Sequence, residues 1–268
     1  MRVAACIAAI GLTLMTAAAA GPPRPLIAAH RGGALLWPEN SLTAFRGALA
    51  LGADLLELDV HLTRDGEAVV IHDPTLERTT SGRGSVRDRT WAEVAAVSLK
   101  GTSGEALPRL RDVLDLVRRT PAGLLVEIKV GPDGARYPGI EETVLSLLRE
   151  TGLTERTTVM AFDWATLERL RALSPTVRLT GLLSRRGAER LGGVRVAADR
   201  LAALRVNDLG LERTLLSSEA VAAARAAGLT IGVWTVNEPD ELRAALAAGV
   251  DCVITDRPDL ALRLREGR

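Results

Sequence analysis

The stretch Leu55-Leu56-Glu57-Leu58-Asp59-Val60-His61 decides the fold, because two acidic residues alternate with apolar ones inside an otherwise strand-like run. Alternate side chains of an extended strand point to one side, so Glu57 and Asp59 project together. Two more apolar runs, Leu26 to His30 and Ala68 to His72, also end in a histidine. In α/β barrels the functional groups lie at the carboxyl ends of strands, so the three runs predict one shared site.

Short apolar strands alternate with helical patterns along the chain, which is the signature of parallel βα units. The chain has 268 residues, 47% of them hydrophobic, and this suits a single α/β barrel. We predict a distorted (β/α)8 TIM barrel over residues 21–268. The turn at Asp65-Gly66 leaves no room for a helix, so one of nine strand candidates is an extra piece. The candidates are Leu26 to His30, Leu55 to His61, Ala68 to His72, Leu124 to Lys129, Thr158 to Phe162, Arg178 to Leu183, Leu204 to Leu209, Thr230 to Thr235 and Cys252 to Thr255.

Helical patterns occupy much of the remaining chain, and Asn40 is the expected N-cap of the first. Residues 73–107 are irregular, and long irregular segments in compact domains tend to be functional. We predict that this insertion covers the site, with a merely solvated insertion as the alternative. The predicted helices are Ser41 to Ala50, Leu110 to Arg119, Ile140 to Arg149, Ala165 to Leu173, Ser218 to Ala227 and Pro239 to Ala248.

Residues 1–20 have the pattern of a signal peptide. Met1-Arg2 carries the positive charge, Val3 to Met15 forms an apolar core, and Thr16 to Ala20 supplies small residues for cleavage. We predict an exported protein, periplasmic or secreted, whose mature chain starts near Gly21 and does not insert stably into a membrane. An uncleaved amino-terminal anchor is the alternative.

Composition narrows the possible partners of the chain. The formal net charge is +1, and no run of like charges or of interleaved aromatic and basic residues marks a nucleic-acid surface. No nucleotide-binding glycine loop and no Gly-x-Ser-x-Gly motif is present. We expect a small-molecule substrate and no nucleic acid; the sequence leaves the oligomeric state open.

The charges at the predicted strand ends favour a divalent cation. Glu127 and Lys129, one of only two lysines, alternate as Glu57 and Asp59 do. Three carboxylates with Arg31 and Lys129 leave a charge of minus one, which repels a phosphate ester, and a divalent cation changes it to plus one. Carboxylate ligands suit Ca²⁺ or Mg²⁺, between which the sequence does not decide. The alternatives are pairing of the carboxylates with the two cations alone and a structural Lys129–Glu127 ion pair.

Several ordered motifs resemble those of the glycerophosphodiester phosphodiesterase family, over essentially the whole chain after residue 25. The resemblance implies a distorted barrel that hydrolyses glycerophosphodiesters to sn-glycerol 3-phosphate and an alcohol with Ca²⁺ or Mg²⁺, and it includes the insertion after His72. The motifs are Ala29-His30-Arg31-Gly32-Gly33, Pro38-Glu39-Asn40-Ser41, Glu57 to Gly66, His72-Asp73, Arg78-Thr79-Thr80, Glu127-Ile128-Lys129, Trp234-Thr235-Val236-Asn237 and Thr255-Asp256-Arg257-Pro258.

The resemblance also implies roles for individual residues. Glu39 and Asn40 match a motif for which we expect a supporting role. The implied roles are the acid/base pair for His30 and His72, metal ligands for Glu57, Asp59 and Glu127, phosphate contacts for Arg31 and Lys129, and an aromatic pocket wall for Trp234.

These roles fit in-line displacement at phosphorus, in which one histidine takes a proton from the nucleophile and the other protonates the leaving alkoxide. Which histidine does which stays open, as does the choice between water and the neighbouring glycerol hydroxyl as nucleophile. For His61 a structural role is preferred over a third site group, and Phe162 is either a second pocket wall or a core residue. Two other functions remain: phospholipase D-like activity on lysophospholipids, and an inactive barrel that binds phosphate or headgroups.

Overall fold

The computed structural model describes residues 24–267, and within them nine strands form one sheet. All except β3 are parallel, and β1 pairs with both β2 and β9, which closes the ring. The predicted distorted (β/α)8 barrel is therefore confirmed. The strands are β1 Leu26–Ala29, β2 Leu55–Leu62, β3 Ala68–Val70, β4 Gly123–Ile128, β5 Thr157–Ala161, β6 Arg178–Leu183, β7 Asp208–Glu212, β8 Thr230–Trp234 and β9 Cys252–Thr255.

Helices surround the barrel and bury their apolar faces against it; α4, for example, buries Ile140, Val144 and Leu148. The described residues contain ten α-helices. They are α1 Leu42–Leu51, α2 Trp91–Ala95, α3 Leu110–Val117, α4 Ile140–Thr151, α5 Trp164–Leu173, α6 Arg185–Leu191, α7 Val194–Ala203, α8 Ser218–Ala226, α9 Pro239–Ala247 and α10 Pro258–Arg265.

Three parts of the sequence prediction are wrong or incomplete. The strand expected at Leu204 to Leu209 begins at Asp208, because α7 runs to Ala203 and Arg205 turns the chain with a φ of 57°. Asn40 is not the cap of α1: its φ is 55°, and the hydroxyl of Ser41 accepts the bond from the Ala44 amide instead. Helices α2, α6, α7 and α10 were not among the predicted segments.

Strand β3 is the extra strand and explains how His72 reaches the barrel. It pairs with β2 in the antiparallel sense, so the chain folds back toward the barrel after the Asp65-Gly66 turn. The amide of Ile71 donates to the carbonyl of Asp59 at 3.1 Å. His72 therefore enters the site beside β2, on a strand that is not part of the closed ring.

The insertion predicted at residues 73–107 packs as a small unit against β3. It contains α2 and a 3₁₀ turn at Val86–Asp88, and backbone bridges join Thr75 to Ser85 and Thr80 to Leu99. Its side chains form a separate apolar cluster with the strand, so it is held by burial and not by backbone pairing alone. The cluster consists of Val69, Ile71, Leu76, Val86, Val94, Leu99 and Leu107.

The predicted signal peptide, residues 1–20, lies outside the described residues. Within residues 24–267, no helix has both the length and the apolar character needed to cross a membrane.

Candidate active site

Three carboxylates meet at the carboxyl end of neighbouring strands. Registry pairs Asp59 of β2 with Glu127 of β4, and Glu57 lies two residues before Asp59 on the same face. One oxygen of each lies within 4.8 Å of the others, and all three side chains are buried. Burial, reinforced by Asp59, raises the pKa of Glu57 to about 7, and burial also raises the pKa of Glu127. Such crowding is costly unless a cation shares the site.

Two cations offset part of this charge. The Lys129 ammonium lies 2.9 Å from Asp59 Oδ1 and 2.6 Å from Glu127 Oε1. Arg31 directs its side chain toward Asp59, with Nε 3.5 Å from Oδ2, while its backbone amide donates to Glu57 at 2.8 Å. Although burial opposes the effect, Lys129 and Arg31 hold the pKa of Asp59 below its usual range. The Lys129–Glu127 pair anticipated as an alternative is therefore present, but Asp59 shares it.

His30 and His72 line the same pocket, and each binds a carboxylate through Nδ1. His30 Nδ1 lies 2.6 Å from Asp256 Oδ1, and His72 Nδ1 lies 2.8 Å from Asp73 Oδ1. Nε2 of His30 is 4.0 Å from Glu57. Burial lowers the pKa of both imidazoles; Glu57 and Asp256 reverse this for His30, whose pKa is raised, whereas the pKa of His72 remains lowered.

His61 lies behind this pocket and does not line it. Its Nε2 donates to the backbone carbonyl of His72 at 3.0 Å, and its Nδ1 accepts from the hydroxyl of Tyr137 at 2.7 Å. Burial lowers the pKa of His61 to about 4. Both ring nitrogens are thus bonded inside the protein, and the ring supports the backbone that carries His72.

Several polar residues that contact the site were not assigned a role from the sequence. Arg78 donates two bonds to Asp73 and two to Glu39, and Glu39 also accepts from Arg31. Asp73 directly follows His72, so its adjacency is a signal that could have identified it. Asp256 was noted only within the Thr-Asp-Arg-Pro motif, and its 226-residue separation from His30 hid the contact.

Asn40 has the supporting position expected for it. Its amide donates to Asp59 Oδ2 at 2.8 Å, inside the buried part of the site. The left-handed backbone of Asn40 directs the side chain there, which explains why it cannot also cap α1.

Aromatic residues form one side of the pocket. The rings of Trp234 and Phe162 meet edge to face with centroids 5.3 Å apart, and the Trp234 indole donates to the Gly210 carbonyl at 3.0 Å. Phe162 is 45% exposed, so of its two anticipated positions it occupies the pocket mouth and not the core. The pocket has a volume of about 90 Å³, and Phe162 also lines two neighbouring grooves of about 280 and 210 Å³.

A larger cavity of about 390 Å³ opens at the amino-terminal end of the strands. One of the carboxylates that line it, Asp208, accepts hydrogen bonds from Arg178, Thr180 and Thr230. The histidines, carboxylates and cations described above lie at the other end, where TIM barrels carry their chemistry. The smaller pocket is therefore the candidate active site.

The donor set is suited to a hard divalent cation. Three carboxylates offer oxygen ligands within 4.8 Å of one another, and sulfur and imidazole are not part of that cluster. With Arg31 and Lys129 the site has a net charge of minus one. Burial and, after it, the nearby Asp59 raise the pKa of Glu57, and a divalent ion held by Glu57, Asp59 and Glu127 would offset both effects.

A parallel α/β barrel whose titratable side chains converge at the carboxyl ends of its strands belongs to the class of TIM-barrel enzymes. Residues 30–260 match the Glycerophosphoryl diester phosphodiesterase family. The chain belongs to this family, which confirms the resemblance read from its motifs, and it is accordingly an enzyme, a phosphoric diester hydrolase.

Individual relatives agree with this placement. The glycerophosphodiester phosphodiesterase of Caldanaerobacter subterraneus subsp. tengcongensis is 34% identical over 248 residues, 90% of this chain and 98% of the relative. A crystal structure from Agrobacterium tumefaciens assigned to the same enzyme class is 31% identical, with a TM-score of 0.87 over 91% of this chain and 98% of that one. The phosphodiesterase of Oleispira antarctica, solved in complex with the product sn-glycerol-3-phosphate, is 24% identical and shares the fold, with a TM-score of 0.75 over 91% and 98%.

Proposed function

We propose that the protein is a metal-dependent phosphodiesterase that hydrolyses glycerophosphodiesters to sn-glycerol 3-phosphate and an alcohol. The observation that carries this proposal is the convergence of His30 and His72 on one pocket beside the buried carboxylates. Two imidazoles on one pocket can supply the proton acceptor and the proton donor that displacement at phosphorus requires. Family membership gives the diester class, and the site gives the groups that act on it.

Two cations and three carboxylates of the site each have a part in the proposed reaction. Arg31 and Lys129 line the pocket and stabilise the charge that grows on the phosphoryl oxygens. Glu57, Asp59 and Glu127 would hold Ca²⁺ or Mg²⁺, which when bound supplies Lewis-acid stabilisation of the same oxygens.

The histidines act through Nε2, since Nδ1 of each is bonded to a carboxylate. One imidazole takes the proton of the attacking hydroxyl, from water or from the glycerol moiety, and the other delivers a proton to the departing alkoxide. Trp234 and Phe162 offer apolar surface at the mouth for the glycerol or the leaving alcohol. On the basis of residues 1–20 we further propose that the enzyme acts outside the cytoplasm, in the periplasm or after secretion.

The test is a substrate panel assayed with EDTA-treated enzyme to which Ca²⁺ or Mg²⁺ is restored. We expect turnover of glycerophosphocholine, glycerophosphoethanolamine and glycerophosphoglycerol, release of sn-glycerol 3-phosphate, and loss of activity without metal. Faster turnover of lysophosphatidylcholine would replace the proposal with a phospholipase D-like activity. Binding of the diesters without turnover would indicate a headgroup-binding barrel. Full activity after EDTA treatment would refute the proposed metal dependence.

A further inference from the structure

The contact between His30 and Asp256 belongs to a longer chain of hydrogen bonds, which fixes the orientation of the Asn237 amide. Asp256 Oδ1 binds His30 Nδ1 at 2.6 Å, and Asp256 Oδ2 accepts from the amide nitrogen of Asn237 at 2.7 Å. The amide oxygen of Asn237 accepts in turn from the backbone amide of Asp256 at 2.9 Å and from the Thr255 hydroxyl at 3.2 Å. Asn237 therefore has one orientation, with its nitrogen toward Asp256.

A carboxylate that binds Nδ1 decides where the imidazole carries its proton. An ionised carboxylate only accepts hydrogen bonds, so the proton of a neutral His30 ring lies on Nδ1. Nε2 then keeps its lone pair, and it is the nitrogen on the Glu57 side of the ring, 4.0 Å from that carboxylate. The dyad sets both the tautomer of the ring and its direction.

We propose that Asp256, oriented by Asn237, is a positioning residue that holds His30 as the Nδ1–H tautomer with the Nε2 lone pair toward the pocket. This inference rests on the proposed function in so far as the tautomer affects turnover. His72 has a similar contact with Asp73, but Arg78 ties Asp73 to Glu39, so a change there would disturb more than one ring. Asp256 is the cleaner position to test.

The substitution Asp256→Asn has a definite structural consequence, because Asn237 dictates how the new amide is oriented. The nitrogen of Asn237 donates to the position of Oδ2, so the new amide must place its oxygen there and its nitrogen toward His30 Nδ1. A donor at that point moves the ring proton to Nε2 and removes the lone pair from the pocket. A wrong tautomer of this kind costs about 10⁴ in kcat in the serine-protease triad.

The substitution Asn237→Asp made together with Asp256→Asn provides a matched rescue. The new carboxylate at position 237 accepts from the new amide nitrogen at position 256, which turns the amide oxygen back toward Nδ1. The double variant has the same net charge as the natural protein and restores an acceptor for the Nδ1 proton. Asn237→Ala is a third variant, in which Asp256 loses its support but keeps its carboxylate.

The experiment measures kcat and KM for glycerophosphocholine at saturating metal, and the protonated ring nitrogen by ¹⁵N NMR of histidine-labelled protein. The chain has only three histidines, so the His30 signals can be assigned with His61→Gln and His72→Gln variants. We expect Asp256→Asn to lower kcat by about 10³–10⁴-fold with KM changed less than about threefold, and to move the His30 proton to Nε2. The double variant is expected to have a kcat at least about tenfold above that of Asp256→Asn and to return the His30 proton to Nδ1. Asn237→Ala is expected to keep the Nδ1–H tautomer.

Three results would overturn the proposal: a His30 proton that stays on Nδ1 in Asp256→Asn, activity of that variant within tenfold of the natural enzyme, or a double variant no better than the single one. If Asp256→Asn does not fold, Asp256→Ala takes its place, and a His30 ring that keeps its Nδ1–H tautomer without that carboxylate contradicts the proposal. The His30 tautomer measured by NMR does not depend on whether the enzyme turns over a substrate. A natural protein that hydrolyses none of the diesters refutes the proposed function while the tautomer remains testable.

Discussion

Replacing Lys129 with methionine tests whether the active-site carboxylates need positive charge from the protein and from a metal. The ammonium lies 2.6 Å from Glu127 and 2.9 Å from Asp59, and its side chain is 13% exposed. Methionine keeps an unbranched side chain and removes only the charge and the donor. The net charge of the site then changes from minus one to minus two.

The expected cost follows from the burial of the partners. Removing one member of a buried ion pair costs about 3–5 kcal/mol, because the other charge is left uncompensated. For a domain of this size each kcal/mol lowers Tm by about 2–4 °C, so metal-free Lys129→Met should melt roughly 6–20 °C lower. Because the ammonium repels a cation at the same carboxylates, its loss should also strengthen metal binding. At a hundred times Kd, a bound ion adds about 2.7 kcal/mol.

The assay is differential scanning calorimetry in EDTA and in Ca²⁺ or Mg²⁺, with kcat measured in parallel. We expect the metal to raise Tm more in Lys129→Met than in the natural protein, while kcat falls by roughly a hundredfold because a transition-state cation is lost. The chain offers a control for Tm in Lys100→Met: its only other lysine is exposed and donates to the backbone carbonyls of Glu77 and Arg78, not to a buried carboxylate, so the change should shift Tm by less than about 4 °C. An unchanged metal-free Tm in Lys129→Met, or a smaller gain from metal, would contradict the charge argument.

Three further outcomes are expected. His30→Ala and His72→Ala should each lower kcat by at least about a hundredfold, as acid–base roles require; unchanged turnover in steady-state assays would remove that residue from the mechanism. Gly32→Ala should lower the free energy of unfolding by about 2–5 kcal/mol in denaturant, because φ is +84° and the new Cβ would lie 2.7 Å from the Ala44 Cβ. Gly52→Ala has a similar φ of +83° but open space around the new Cβ, so it should lose only about 1–2 kcal/mol. Equal losses in the two variants would exclude the packing contribution. Trp234→Ala should raise KM about tenfold with little change in kcat, and an unchanged KM would show that the indole does not bind substrate.

The barrel was predictable because its strands are short apolar runs separated by helical patterns, and both periodicities are local. The exceptions have physical reasons. After α7, Leu204 and Val206 alternate with Arg205 and Asn207 as they would in a strand, so periodicity alone places the start of the strand too early. Helix α6 has a single buried residue, Ala188, and therefore leaves almost no apolar pattern. The antiparallel direction of β3 was implied by the tight turn before it.

The residues of the candidate site form two groups: some could be placed from a local pattern, and others are brought together only by the fold. Glu57 and Asp59 could be placed together from strand alternation, and Glu127 could be added because it repeats the pattern on another strand. The contact of His30 with Asp256 depends on the pairing of β1 with β9, the first and last strands, and no local pattern in the sequence encodes that closure. Contacts of this type need the fold before they can be inferred.

The insertion contributes side chains to the candidate site, in addition to the covering role predicted for it. Asp73, its first residue, binds His72 Nδ1, and Arg78 holds Asp73 and Glu39 together through four hydrogen bonds. Glu39 in turn accepts from Arg31 at 3.1 Å. The imidazole and the guanidinium proposed to act on the phosphate are therefore joined through one arginine of the insertion. The apolar cluster that anchors the insertion includes Leu76, two residues before this arginine, so packing outside the pocket supports the segment that carries it.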